Sequence, residues 1–254
     1  MKMLGLDLAT TSGWALIEDE KIIEMGTIDI DSRMALIQRL NFLSLELERL
    51  FTRLKPDRCA IEDVLLGISG VKVLSYLARI NGVALLVSYK HVSDNITLYQ
   101  PTHWKANSFP GLEPFAKKWQ IQKAACDFFN ISYDSELEKM ERTIEKYEKI
   151  INGKIEITTD NKKLIDSTKA ALKRKTRDVL KGSSRTMATT QMKSLIQNNK
   201  DLKKEIKISK LEFDKEMRKV GIDIAAKTGL TDNIADACGV ALCAIKEITN
   251  ESNN

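Results

Sequence analysis

Acidic residues interrupt three apolar segments of this 254-residue chain. Asp7 lies in the first predicted strand and Glu62 in a later one. Asp232 and Asp236 are four residues apart, a spacing that places both on one face of a helix. A carboxylate inside an apolar segment is costly to bury unless something positive compensates it. Each carboxylate could also be solvated at the end of its element, so the pattern alone leaves both interpretations open.

The three acidic segments together predict a site for hard cations. Oxygen-only ligands, with both histidines elsewhere in the sequence, suit Mg²⁺, with Mn²⁺ as a possible substitute. Two such ions about 4 Å apart can activate water and stabilise the leaving oxygen in phosphodiester hydrolysis. If Asp7, Glu62, Asp232 and Asp236 converge, we expect them to hold two ions per active site.

The apolar pattern predicts an α/β core that positions these carboxylates. Three strands joined by polar turns fill residues 1–30, which is typical of an antiparallel meander. The order βββαβαβα then predicts a mixed five-stranded sheet flanked by helices. The later elements are a helix capped by Ser32 and ended by Pro56, a strand over 58–64, a helix over 71–91, a strand over 96–99, a short helix from Pro101, a helix over about 115–129 and a final helix over 232–248.

Residues 131–221 differ from the rest of the chain, and we interpret them as a basic helical insertion into a core formed by 1–130 and 222–250, with 251–254 as a tail. Apolar residues at spacings of three and four over 137–151 resemble a short coiled-coil seam, which would pack on later helices or support a dimer. Asn152-Gly153 indicates a turn, and residues 182–184 indicate a weakly structured stretch.

Positive charge is concentrated in this insertion. Residues 161–210 hold 15 Lys and Arg against 4 Asp and Glu, as expected for a surface that meets a polyanion. The densest basic run predicts contacts with DNA phosphates, although a solvated helical face would look the same. The candidate DNA-binding residues of this run are Lys173, Arg174, Lys175 and Arg177.

Composition argues against several other classes of protein. The four cysteines are scattered through apolar patterns without metal-clip spacing, which favours reduced core thiols over a zinc site. Continuous apolar runs fall far short of the roughly 20 residues of a membrane span. We therefore expect no membrane partner and a cytoplasmic location, in the bacterial host if the chain is encoded by a phage.

The sequence resembles the RuvC family of Holliday-junction resolvases, particularly the versions carried by phages. The similar segments occur in the family's order and are Leu4–Ala15, Ala60–Glu62, Arg79–Ala84, Tyr99–Lys105 and Asp236-Ala237. The resemblance implies an RNase H-like fold and a homodimer that makes paired metal-dependent cuts in branched DNA, leaving 5′-phosphates and 3′-hydroxyls. It also implies that Lys105 stabilises charge at the scissile phosphate and that Lys117 or Lys118 contacts the DNA backbone.

Two features depart from the family pattern. Asn233 stands where the family usually has an acidic residue three positions before Asp236, and we favour Asp232 as its substitute. No aromatic residue follows Glu62, where some relatives carry a base-stacking side chain; Leu65, Leu66 and Ile68 occupy that stretch.

Other interpretations remain at this point. His103 could be a general base, although a surface histidine is the more ordinary role. The segment around Asp7 also resembles the phosphate loop of actin-like nucleotide phosphotransferases, but no second loop or late glycine cluster accompanies it. A branched-DNA binding module that does not cut, or another RuvC-like nuclease such as a transposase-type protein, would share most of these motifs.

Overall fold

The computed structural model describes residues 1–64, 70–174 and 182–252. The chain divides into two compact units, one formed by Met1–Asp134 with Gly221–Asn254 and the other by Ser135–Val220.

The first unit is built on a five-stranded sheet in the order β3-β2-β1-β4-β5. Pairs β1–β2 and β2–β3 are antiparallel, whereas β1–β4 and β4–β5 are parallel. The predicted mixed sheet, with its opening meander, is confirmed, and it is the sheet of an RNase H-like fold. The strands are β1 (Lys2–Asp7), β2 (Thr11–Glu18), β3 (Lys21–Asp29), β4 (Arg58–Glu62) and β5 (Ile96–Tyr99).

Helices cover both faces of this sheet. Leu4 and Leu6 of β1 and Ile61 of β4 pack in one hydrophobic cluster with α1 and α2. Gly5 of β1 faces α7 on the opposite side, because successive side chains of a strand alternate between faces. The helices of this unit are α1 (Leu36–Leu54), α2 (Val71–Val92), α3 (Pro101–Asn107), α4 (Lys118–Phe128) and α7 (Asp232–Ser252).

Two predicted helix starts are wrong by three residues. Helix α1 follows Ala35 rather than Ser32, because the side chain of Gln38 accepts a hydrogen bond from the Ala35 backbone N–H and closes the first turn there. Helix α4 begins at Lys118, where Gln120 accepts in the same way from the backbone N–H of Lys117. In both cases a local side-chain cap sets the boundary.

Within the described residues, α2 is long and apolar enough to cross a membrane by length and composition alone. Polar residues interrupt its apolar sequence, but few of them are charged. The mean hydropathy of the helix is therefore higher than the length of its continuous apolar runs indicates. A core helix passes the same test, and the buried residues Ile80, Ala84 and Val87 of α2 belong to the cluster beneath the sheet.

The second unit comprises α5 (Asp134–Arg174) and most of α6 (Gly182–Thr228). The two helices run antiparallel, because Tyr147 Oη donates to Glu216 Oε1 at 2.9 Å while Asn199 Nδ2 contacts the Thr158 carbonyl at 3.4 Å. The predicted turn at Asn152-Gly153 is wrong: α5 continues through it. The predicted weakly structured stretch at 182–184 is also wrong, because α6 already begins at Gly182.

Candidate active site

Strand alternation and parallel pairing bring Asp7 and Glu62 together. Leu6 pairs with Ile61 across the parallel strands β1 and β4, so the residues that follow them lie side by side at the carboxyl ends. Leu6 and Ile61 face the α1–α2 cluster, and Asp7 and Glu62 therefore face α7.

Helix α7 reaches this edge of the sheet because glycine leaves room for its backbone. A Cβ atom on Gly5 would lie 2.0 Å from the carbonyl oxygen of Ala237, and one on Gly13 would lie 2.1 Å from that of Asn233. Asp236 is therefore carried directly over the ends of β1 and β4. It is buried at 8% exposure although its side chain is a carboxyl group.

Among the described residues, Asp7, Glu62 and Asp236 form a group in which one carboxylate oxygen of each residue lies within 4.8 Å of those of the other two. We call this group the carboxylate triad. Three carboxylates from three elements at this spacing repel one another unless protons or cations separate them.

Burial raises the pKa of every member of the triad. The pKa of Glu62 rises to about 7, through desolvation first and then the charge of Asp236. The pKa of Asp236 rises to about 8, through desolvation and then the charge of Asp7. The pKa of Asp7 also lies well above its usual value, mainly because of burial and then because of Glu62.

The triad has the properties of a divalent cation site. Within the part of the chain that the structure describes, the buried Oδ1 of Asp236 has no hydrogen-bond partner, so one acceptor of the group is unsatisfied. A cation would satisfy that oxygen and offset both the burial and the mutual repulsion that raise the three pKa values.

Two lysines stand at the triad. The charge of Lys105 lowers the pKa of both Glu62 and Asp236, and its ammonium lies 5.3 Å from the ring centroid of Trp104. The charge of Lys118 acts on Asp7 and Asp236. Trp104 itself is fully buried, as expected of a core anchor.

Asp232 and Asn233 have different roles from those of the triad. Asp232 is not a member of the 4.8 Å group; its Oδ2 accepts a hydrogen bond from Lys118 Nζ at 2.6 Å. Asn233 Nδ2 donates to the carbonyl oxygen of Thr11 at 2.7 Å and so fastens the start of α7 to β2.

The remaining predicted residues lie away from the triad or beyond what the structure describes. Lys117 is exposed and precedes α4. Lys173 and Arg174 fall in the last turn of α5, and Lys175 and Arg177 lie outside the described residues, as do Leu65, Leu66 and Ile68. His103 contacts Glu247 rather than a triad carboxylate.

Sequence reasoning missed the glycines that let α7 approach. Gly5 lies two residues before Asp7 on the same strand face, and Gly239 leaves room for the Trp104 ring, which a Cβ would meet at 2.4 Å. A glycine in an apolar strand is a signal for close backbone approach, and it was available at Gly5.

Comparison with known proteins identifies one family. A family model described as crossover junction endodeoxyribonuclease RuvC matches residues 3–140. The protein of that name from Alkaliphilus oremlandii is 30% identical over 139 residues, which cover 52% of this chain and 81% of the relative. Those from Finegoldia magna and Syntrophomonas wolfei are 27% and 33% identical over 107 and 93 residues, covering 40% and 35% of this chain but only 63% and 54% of the relatives.

Solved structures give a weaker likeness. The Thermus thermophilus RuvC structure aligns with a TM-score of 0.46 at 13% identity, over 52% of this chain and 82% of that one. The same protein in complex with a Holliday junction substrate aligns with a TM-score of 0.45 at 12% identity, over 52% and 81%. The family match ends before α7, so the placement of Asp236 rests on the geometry described above.

Proposed function

Because the chain belongs to the RuvC family of crossover junction endodeoxyribonucleases, we propose that it cuts branched DNA, Holliday junctions in particular, by metal-dependent phosphodiester hydrolysis in the cytoplasm. The observation that carries this proposal is the carboxylate triad, with all its ligand oxygens within 4.8 Å of one another.

Asp7, Glu62 and Asp236 are the residues that would hold the metal, and Asp232 would assist from the first turn of α7. When bound, two Mg²⁺ ions, or Mn²⁺ in their place, supply an activated water and neutralise the leaving oxygen. The donor set supports hard cations, because it consists of carboxylate oxygens.

The lysines supply positive charge where the substrate phosphate must lie. Lys105 acts electrostatically on two triad members, so a phosphate at the triad would also lie in its field. Lys118, together with Lys117, would contact the DNA backbone next to the scissile bond. Hydrolysis would leave a 5′-phosphate and a 3′-hydroxyl.

The central experiment compares a labelled mobile four-way junction, a flap and a plain duplex, each with Mg²⁺ or with EDTA. We expect paired, metal-dependent nicks on the junction that disappear in Asp7→Asn. Equal cutting of all three substrates would make the protein a general nuclease. Tight junction binding without cutting in Mg²⁺ or Mn²⁺ would make it a binding module.

We also propose that the protein acts as a homodimer, because a four-way junction has two-fold symmetry and paired nicks need two active sites. The outer face of α2 supports this arrangement. Leu86 and Tyr89 are 62% and 58% exposed there, and Gly82 beside them has open space above its Cα.

Leu86→Glu should therefore convert the dimer to a monomer without unfolding it, since the side chain is exposed. Sedimentation equilibrium measures the change. Ile23→Glu, at an apolar position on β3 that is 53% exposed, is the matched control. A Leu86→Glu protein that stays dimeric contradicts this interface.

A further inference from the structure

A second group of metal-ligating side chains lies along the same helix as Asp236. Cys243 follows Asp236 by seven residues on α7, which places it on the same face two turns, or about 10 Å, further along. Glu247 lies one turn beyond it, and His103 approaches from α3. Their ligand atoms, one nitrogen, one sulfur and one oxygen, all lie within 4.8 Å of one another.

Each of these side chains is held in place by a neighbour. Glu247 Oε1 lies 2.6 Å from His103 Nε2 and 3.8 Å from Cys243 Sγ. Its other oxygen accepts a hydrogen bond from Tyr99 Oη at 2.7 Å. The His103 ring stacks on Tyr99, with centroids 5.8 Å apart and planes 16° apart, so Nε2 is directed toward Glu247.

We propose that His103, Cys243 and Glu247 form a site for one Zn²⁺ ion, separate from the carboxylate triad. Zinc takes cysteine sulfur at about 2.3 Å, histidine nitrogen at about 2.0 Å and carboxylate oxygen at about 2.1 Å. Ligand atoms that already lie within 4.8 Å of one another reach these distances through small side-chain movements.

The donor set selects the metal. A thiolate and an imidazole favour zinc or a similar transition ion, whereas Mg²⁺ prefers oxygen ligands alone. The two sites of α7 would therefore hold different metals. The side chain of His103 is 51% exposed, which leaves the fourth zinc position open to water.

The neighbours of the site suit metal binding. The hydrogen bond from Tyr99 orients the Glu247 carboxylate, as outer-shell groups do around metal ligands. Binding converts the Cys243 thiol to a thiolate, and the displaced proton passes to solvent. Because the thiol loses its proton on binding, zinc affinity should increase with pH.

This site revises the expectation that zinc binding is improbable. The expectation was based on the absence of cysteine pairs at clip spacing. This donor set instead combines one cysteine with a histidine that lies on a different helix, far away in the sequence. A bound ion would fasten α3 to α7, and Lys105 lies two residues after His103. Zinc should therefore stabilise the part of the chain that carries Lys105.

The test uses Co²⁺ as a spectroscopic probe of full-length protein carrying Asp7→Asn, which weakens the oxygen-only site. We expect one Co²⁺ with a thiolate-to-cobalt charge-transfer band in the near ultraviolet, displaced by one equivalent of Zn²⁺. The band should disappear in Cys243→Ala and in His103→Ala, and weaken in Glu247→Gln, which keeps an acceptor for Tyr99.

The chain offers matched controls for both donors. His91 is the other histidine; it lies 2.6 Å from Glu48, and among the described residues it belongs to no comparable group of ligands. Cys126 is another buried thiol. His91→Ala and Cys126→Ala should keep the band. Absence of the band in the parent, or its persistence in Cys243→Ala, overturns the proposal. Nuclease activity is not a readout here, so this result is independent of the function proposed above.

Discussion

In the carboxylate triad, burial disfavours the negatively charged forms of Glu62 and Asp236. Their pKa values of about 7 and about 8 mean that the folded chain without metal keeps these carboxyls protonated well above their ordinary range. A carboxyl with a raised pKa in the folded state contributes stability that is present at low pH and is lost as the pH rises through that value.

Asp236→Asn should therefore stabilise the metal-free protein while abolishing cleavage. Asparagine needs no proton to stay neutral, so the gain in melting temperature should be small near pH 4 and larger at pH 8. Calorimetry in EDTA at both pH values measures it, and the junction assay should show a loss of at least ~100-fold, because metal ligation contributes several kcal/mol to the transition state.

Asp94→Asn is the control for this prediction, because Asp94 is exposed and distant from the triad in sequence. Its melting temperature should change little at either pH. If Asp236→Asn raised the melting temperature equally at both pH values, the gain would not come from removing the cost of ionising this carboxyl.

Asp232 and Asn233 can be distinguished by their effects on the metal requirement. The charge of Asp232 acts on Asp7 and Asp236 although its carboxylate pairs with Lys118. We expect Asp232→Asn to raise the Mg²⁺ concentration for half-maximal cleavage, and Asn233→Ala to leave it unchanged. If Asp232→Asn cleaves normally and Asn233→Ala is inactive, Asp232 has no part in metal binding.

For individual site residues, the sequence was most informative where a residue lies within a regular strand or helix. The convergence of Asp7, Glu62 and Asp236 could be expected because each interrupts an apolar strand or helix, whereas the register that brings Asp7 beside Glu62 came only from the structure. The partner of Asp232 could not be predicted. It depends on where α4 brings Lys118, and nothing in the local sequence of either residue encodes that distance.

Among the elements, α7 depends on Gly5 for its position. A methyl group there would lie 2.0 Å from the carbonyl of Ala237 and 2.9 Å from the Cβ of Ala241. Gly5→Ala should push α7 away from β1, destabilise the protein by about 1–3 kcal/mol and remove Asp236 from the triad. Urea unfolding and the junction assay measure the two effects.

Gly153→Ala is the matched control for that substitution. Gly153 lies within α5 with nothing within 4 Å of its added Cβ, so the alanine should stabilise by about 0.5–1 kcal/mol because it lowers the entropy lost on helix formation. A Gly5→Ala protein with wild-type stability and cleavage would show that α7 tolerates the displacement.

The same glycine shows why some element boundaries were missed. Asn152-Gly153 has the composition of a turn, but tertiary packing overrides local propensity when a helix has a partner along its length. Contacts such as Tyr147 with Glu216 and Lys154 with Glu205 hold α5 to α6 on either side of this dipeptide. A single sequence does not disclose such partners.

For the whole molecule, the charge distribution predicts separate contributions from the two units. Deleting residues 134–215 removes 21 Lys and Arg but only 14 Asp and Glu, so the remaining chain has no net positive charge. DNA binding should weaken and its dependence on salt should become shallower, because fewer phosphate contacts release counterions. Titrations of a junction at several salt concentrations measure both the affinity and its salt dependence. Unchanged binding after the deletion would mean that the basic side chains are solvated and do not contact DNA.

The triad draws its members from β1, β4 and α7, so the first and last of them are joined by nearly the whole length of the chain. If the triad holds the metal as proposed, Asp7 and Glu62 have no third ligand until the ribosome has made α7, and a chain truncated before Asp236 should not cut DNA. Under the proposed function, the protein should therefore acquire nuclease activity only after α7 has been synthesised and has packed over Gly5.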